Sequence, residues 1–237
     1  MKVSNIAIRN WRNFKNADVK VQDRTFIVGA NASGKSNFLD IFRFLRDIAS
    51  SSGGGLQKAI KDRGGMKKVR SLAARKEPNI LLEITMTDED AKWRYLLEIT
   101  QESAGKRRPL VKREEVYKGD EVLLKRPDEH DQTDPERLTQ TSLEQVNSNV
   151  NFREISEFFA GVVYLHLVPQ LLKYAEGIQG QFLENDPFGQ AFLERIAATG
   201  DKKRARRLSE SPRFLRRLNT LRGLSHEEVE QVLTRGA

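Results

Sequence analysis

The sequence predicts an α/β fold: a mixed sheet with an antiparallel meander around one amphipathic helix, followed by a helical extension. Three observations predict it. The apolar run Phe26–Val28 passes through a short loop bounded by glycines into a helical pattern from Gly34. Between Ile80 and Lys125, short segments rich in apolar residues, the first with period-2 alternation, are separated by polar turns. From Asp186 onward the chain reads as short helices with clear start and stop signals.

Taken in order, residues 3–8 (VSNIAI) and 17–28 (ADVKVQDRTFIV) read as strands rich in Val and Ile. Phe26, Ile27 and Val28 are consecutive, the pattern of a strand buried on both faces. Phe38, Ile41, Phe42 and Leu45 then fall at i, i+3, i+4 and i+7, which makes one apolar stripe on a helix. SSSGGG at 50–55 predicts a break and a flexible loop. The basic segment 56–76 predicts helix on either side of Gly64–Gly65. Ile80, Leu82, Ile84 and Met86 alternate with Leu81, Glu83, Thr85 and Thr87, and further strands are expected at 93–99, 111–117 and 121–125. Residues 127–151 are polar and carry the weakest pattern, before a short helix at 152–159 and an apolar strand at 162–168. In the last third, Asp186 caps a helix with Pro187 at its first position and Gly200 beyond its end. Ser211–Pro212 repeats that start, and Ser225 with Glu228 forms a capping box. The domain reading is a lobe over 1–180 and a basic helical extension over 181–237.

Composition narrows the class. The 237 residues are 38% apolar and 31% charged, with no cysteine, so disulfides and thiolate metal sites are excluded. The three histidines make no metal-ligand pattern. No apolar run approaches the ~18 residues a membrane helix needs, and MKVSNIAIRNWRNF has no secretory h-region, so a cytoplasmic protein without a membrane partner is expected. The formal net charge of +8 is concentrated in two clusters. Residues 200–223 carry nine Lys/Arg (among them Lys202, Lys203, Arg204, Arg206, Arg207, Arg216 and Arg217) against two acids, and residues 56–76 carry eight against one. Such clusters suit a surface that meets polyphosphate, DNA above all, or else a solvated helix face.

Gly29-Ala30-Asn31-Ala32-Ser33-Gly34-Lys35-Ser36 is a full match to GxxxxGK[ST], placed after an apolar run and before an amphipathic helix. Backbone N–H groups of such a loop wrap a β-phosphate, and the helix start adds free N–H groups and the positive end of its dipole. Lys35 would bridge β- and γ-phosphates, and the Ser36 hydroxyl would complete a Mg²⁺ shell, so ATP and Mg²⁺ are the expected ligands. Arg9 and Arg12, near the first turn, either approach the phosphates or stand in solvent.

The stretch IAIRNWRNFKNADVKVQDRTFIVGANASGKSNFLDIFRFL resembles the N-terminus of the SMC/RecF-like (OLD-like) group of ABC-type P-loop ATPases. Asn10-Trp11-Arg12-Asn13-Phe14 stands at that group's Asn-Phe-Arg-like turn, and Asn31 and Asn37 match its asparagines. Ala32 departs from it, since the group usually has Gly there. The resemblance implies a P-loop NTPase of ABC-type first-lobe architecture. It also implies a Q-loop glutamine sensing Mg²⁺ and γ-phosphate, for which Gln170 after the 162–168 strand is the candidate. A Gln that merely begins a loop is the alternative. Work on DNA, in repair or in defence against foreign DNA, and a second head in a homodimer or hetero-complex complete what the resemblance implies.

Hydrolysis in that group also needs a Walker B strand ending in Asp-Glu, an LSGGQ-like signature and a switch histidine, none of which follows Gln170 in order. The lookalike Ile80–Glu89 alternates with Glu83 and two threonines, the mark of a half-exposed strand, and Glu114–Glu115 read as strand residues. Two readings follow: an ATPase lobe acting on DNA, or a non-hydrolysing, ATP-gated module for a partner nuclease or effector. A P-loop kinase or GTPase is disfavoured because the sequence has no NKxD-type motif or lid-like arginine pattern.

Overall fold

In the computed structural model the described residues are 1–50, 54–72, 77–88 and 91–164. The chain opens with a hairpin, β1 (Lys2–Trp11) and β2 (Phe14–Lys20), followed by helices α1 (Lys35–Ala49), α2 (Gly55–Asp62) and α3 (Met66–Val69). A four-stranded meander comes next: β3 (Ile80–Thr87), β4 (Lys92–Gln101), β5 (Pro109–Lys118) and β6 (Glu121–Arg126). Helix α4 (Glu129–Thr133), 3-10 turns at Pro135–Thr139 and Val150–Phe152, and helix α5 (Arg153–Ala160) complete it. The sheet order is β2-β1-β3-β4-β5-β6, and every pairing is antiparallel. The mixed sheet expected from sequence is therefore wholly antiparallel among the described residues. Residues 1–163 form one compact unit, and the boundary expected at 180 lies outside the described residues.

Alternation decides which face packs. Ile80, Leu82, Ile84 and Met86 are buried, and Leu82 and Ile84 pair with Ile8 and Ile6 of β1. Trp93, Tyr95, Leu97 and Ile99 of β4 continue that face, and Phe38, Ile41, Phe44, Leu45 and Ile48 of α1 join the same core. Phe44 replaces the expected Phe42 at the centre of the helix stripe, its ring 5.0 Å from Trp11, while Phe42 is only half-buried. Helix α5 closes the core with Phe159, 5.8 Å from Tyr95.

Two expectations from sequence fail here. Phe26–Val28 is not a strand, and Phe26 and Val28 are 88% and 92% exposed. A strand buried on both faces needs neighbours for its backbone and both faces, and none pairs with it among the described residues. Second, SSSGGG is not loop throughout, because Gly55 opens α2. At Gly55 φ is +71° and a Cβ would collide with the Glu144 carboxylate, so only glycine fits. The strand expected at 162–168 shows no pairing at 162–164, and its remainder lies outside the described residues.

The polar stretch 127–151 is held by buried charge. Arg126 donates to Asp131 Oδ2 (2.9 Å) and Oδ1 (2.7 Å), to Glu114 Oε2 (3.3 Å) and to the carbonyls of Arg137 and Gln140. Glu114 accepts from Tyr95 Oη and from the Ser142 and Leu143 amides. Burial outweighs these bonds and raises the Glu114 carboxyl, whereas at Asp131 the bonds from Arg126, Asp128 and Arg137 outweigh burial and hold it well below the usual carboxylate range. Beside them Glu144 accepts from the Thr141 amide (2.7 Å) and from the Leu56 amide (2.9 Å) at the start of α2. Burial, with the charge of Glu114 adding to it against these bonds and Arg126, pushes Glu144 up to about 7.

A carboxyl raised on folding favours the native state while protonated and costs stability as pH climbs from about 4.3 to about 7. Glu144→Gln removes that ionisation. Relative to the variant, the wild type should lose at most about 3 kcal/mol across this window, read as diverging melting temperatures between pH 4 and 8. Parallel curves would mean that Glu144 titrates at its ordinary value.

Candidate functional site

The candidate site is the connection from residue 29 into α1. Ser33 N–H turns back to the Ala30 carbonyl (3.2 Å), and the backbone is left-handed at Ala32 (φ +63°) and Gly34 (φ +104°). A Cβ at Gly29 would lie 2.8 Å from Ser33 Oγ, so the curl is tight enough to favour glycine there. Gly34 precedes the first residue of α1 and supplies no side-chain cap, which leaves the first-turn N–H groups without one. The Lys35 ammonium folds over the loop and donates to the carbonyls of Gly29 (2.8 Å) and Ala30 (2.7 Å). Ser36, next along the helix, is exposed, as are Ala30, Asn31 and Ser33. An uncapped helix start, an ammonium held only by carbonyls and an accessible hydroxyl make a donor set suited to polyphosphate, with an oxygen ligand for a hard cation beside it.

The turn between β1 and β2 braces this loop. Asn13 Nδ2 donates to the Ser33 carbonyl (3.3 Å), and Asn13 Oδ1 accepts from Asn37 Nδ2 (2.9 Å). Trp11 Nε1 donates to the Asn37 carbonyl (2.9 Å). Arg12 does not point over the loop. Its guanidinium grips Asp40 of α1 (3.0 and 2.7 Å), and Arg63, just past the end of α2, grips the same carboxylate. Arg9 falls on the opposite face of β1 from Ile8, lining a shallow groove with Asn16, Asp18, Glu83 and Arg113.

The other sequence candidates divide cleanly. Lys35, Ser36, Gly29–Gly34 and Asn37 come together at one end of α1. Gln170 and the basic residues Lys202, Lys203, Arg204, Arg206, Arg207, Arg216 and Arg217 lie outside the described residues. The Walker B lookalike is displaced by geometry: Thr87, just before Asp88, pairs with Lys2, whereas the loop is tied to the turn after Trp11. A strand of that length separates the two by about 30 Å. Glu114 is buried in the Arg126 network and Glu115 sits on β5. His130 lies in α4, and among the described residues no three His, Cys, Asp or Glu group to hold a metal. Sequence reasoning missed the brace from Asn13 and the carboxylate of Asp40, although Asn13 stands inside the turn motif it quoted.

Ala32 gives a direct test of the loop's conformation. An alanine at φ +63° is strained by about 1 kcal/mol or more, and glycine is not. Ala32→Gly should therefore raise stability by about 0.5–1 kcal/mol in chemical denaturation despite the added chain entropy. A loss of stability would mean that residue 32 does not hold this backbone.

Comparison with known proteins agrees with the geometry. The family described as "AAA domain, putative AbiEii toxin, Type IV TA system" matches residues 24–228. Endonuclease GajA of Bacillus cereus (strain VD045) is 47% identical over 47 residues, covering 20% of this chain and 8% of that protein. No helix among the described residues is long and apolar enough to cross a membrane. With the family profile covering most of its length and the glycine-bounded loop inside the match, the chain belongs to this AAA-domain family of P-loop ATPases.

Proposed function

We propose that this chain is the ATP-binding lobe of an ABC-type head of the SMC/RecF-like group, working on DNA in repair or in defence against foreign DNA. The observation that carries the reading is the loop at Gly29–Ser36, whose Lys35 rests on loop carbonyls above an uncapped helix start. Bound ATP would supply a triphosphate whose cleavage can drive opening and closing of a head. Lys35 would exchange two carbonyl partners for phosphate oxygens, Ser36 would hold Mg²⁺, and Gln170 would report the γ-phosphate from beyond the described residues. A second head, in a homodimer or a hetero-complex, would complete the site. The name of the endonuclease relative supports a nucleic-acid polymer as the target, and the toxin–antitoxin description of the family supports defence. Because the chain spans only 8% of that relative, its nuclease activity is not carried over to this chain.

A second reading, a nucleotide-gated module without turnover that controls a partner nuclease, is favoured by one observation. Thr87, just before the acidic end of the sequence's Walker B lookalike, pairs at the far end of β1 from the loop, a strand length of about 30 Å away.

Lys35→Ala removes the ammonium without touching the core, so ATP binding should weaken tenfold to a hundredfold, about 1.5–3 kcal/mol, in titrations with a fluorescent triphosphate. Equal affinity would overturn the nucleotide site. Mg²⁺-dependent turnover by the wild type, absent in the variant, selects the ATPase reading, and binding without turnover selects the gated module. Replacing Arg206, Arg207, Arg216 and Arg217 by alanine should weaken duplex DNA binding and flatten its salt dependence while ATP affinity holds. Unchanged DNA affinity at low salt would leave those arginines as a solvated face.

A further inference from the structure

We infer that Asn13 is a positioning residue of the nucleotide site: it sets the direction of the Gly34 N–H through the carbonyl of Ser33. This inference rests on the nucleotide-binding reading above and deepens it.

The argument starts from the peptide plane. The Ser33 carbonyl and the Gly34 N–H belong to one planar trans unit, so they point in opposite directions. Asn13 Nδ2 holds that carbonyl at 3.3 Å on the side of the β1–β2 turn. The Gly34 N–H, on the opposite edge of the same peptide, is thereby turned away from the β1–β2 turn. If the carbonyl were released, the peptide could rotate and the donor would leave that direction.

Gly34 is matched to this contact. Its φ of +104° already favours glycine, and a Cβ there would collide with the Asn13 side-chain amide. The asparagine lies flush against the peptide it orients, and a side chain at 34 would push it off. Asn13 is itself fixed. Asn37 Nδ2 donates to its Oδ1, which leaves Nδ2 as the group facing Ser33. The turn beneath it is clamped because Arg12 N–H donates to the Val69 carbonyl (2.6 Å) and the Arg12 guanidinium grips Asp40. Asn13 is exposed and outside the hydrophobic core, so its role is separable from folding.

The experiment uses the full chain and three probes: ATP, ADP and adenosine. Asn13→Ala should weaken ATP and ADP about tenfold. Adenosine binding, measured at saturating probe, and the melting temperature of the free chain should change little. Asn13→Asp keeps the size and the bond from Asn37 but cannot donate to Ser33, so it should show the same loss; it also serves if the alanine variant does not fold. Asn13→Ala combined with Asn37→Ala should bind ATP no more weakly than Asn13→Ala alone, since Asn37 acts through Asn13. An ATP affinity within twofold of wild type for both Asn13 variants overturns this inference while leaving the nucleotide site standing. An equal loss across all three probes with a lowered melting temperature overturns it in favour of a structural role. Absence of ATP binding by the wild type overturns the nucleotide reading and this inference together.

Discussion

Four consecutive residues, Asn10 to Asn13, tie the parts of this molecule to one another. Asn10, buried and left-handed at φ +57°, spends its side-chain amide on the carbonyls of Glu77 and Asn79, at 2.8 Å each. Its carbonyl accepts from Ser71, and the Arg12 N–H donates to Val69, so the chain after α3 is strung along the turn. Trp11 buries its ring against Phe44 and its N–H on α1. Arg12 reaches Asp40, and Asn13 reaches the loop. A tight turn that must satisfy this many partners has little freedom, and two non-glycine residues pay for it with positive φ. The consequence is positional: the Gly29–Ser36 loop is referenced to the sheet through side chains rather than by strand pairing.

The meander depends on a different constraint. Burying Arg126 with Glu114 and Asp131 is costly unless every lone pair and N–H finds a partner, and here backbone carbonyls and amides of 137–143 complete the set. That requirement converts a polar, weakly patterned segment into a fixed cover over β5 and β6. Glu144 extends the cover to the start of α2, and α2 returns through Arg63 to the Asp40 carboxylate that Arg12 also holds. The Gly29–Ser36 loop and the meander thus share one chain of polar contacts as well as one apolar core.

Asp40 deserves comparison with Lys35. Both lie on α1 less than two turns apart, but the carboxylate is saturated by two guanidinium groups while the ammonium has only carbonyl partners. The Lys35 charge is therefore held by carbonyl dipoles, while the nearby Asp40 charge is taken up by the two arginines. A basic segment lies alongside, since α2 and α3 carry Lys61, Lys67 and Lys68 on exposed positions.

Local chemistry was enough to read much of this protein. The alternation of Ile80 to Met86, the helices on either side of Gly64–Gly65 and the GxxxxGKS loop each declare themselves within a dozen residues, because period, glycine placement and charge are local properties. The departure at Ala32 was also visible, though only the backbone revealed that it occupies a left-handed position. Tertiary structure decided the rest. Phe26–Val28 carries a strand's composition, but a strand exists only where another offers its hydrogen bonds. Arg12 looks equally suited to phosphate or solvent until Asp40 appears beside it from 28 residues away. Asn13 is one polar turn residue among several in the sequence, and it becomes the brace of the loop only because folding places Ser33 and Asn37 within reach of its two ends. Sequence determines which groups are available, and the pairings that orient them depend on long-range closure of the chain.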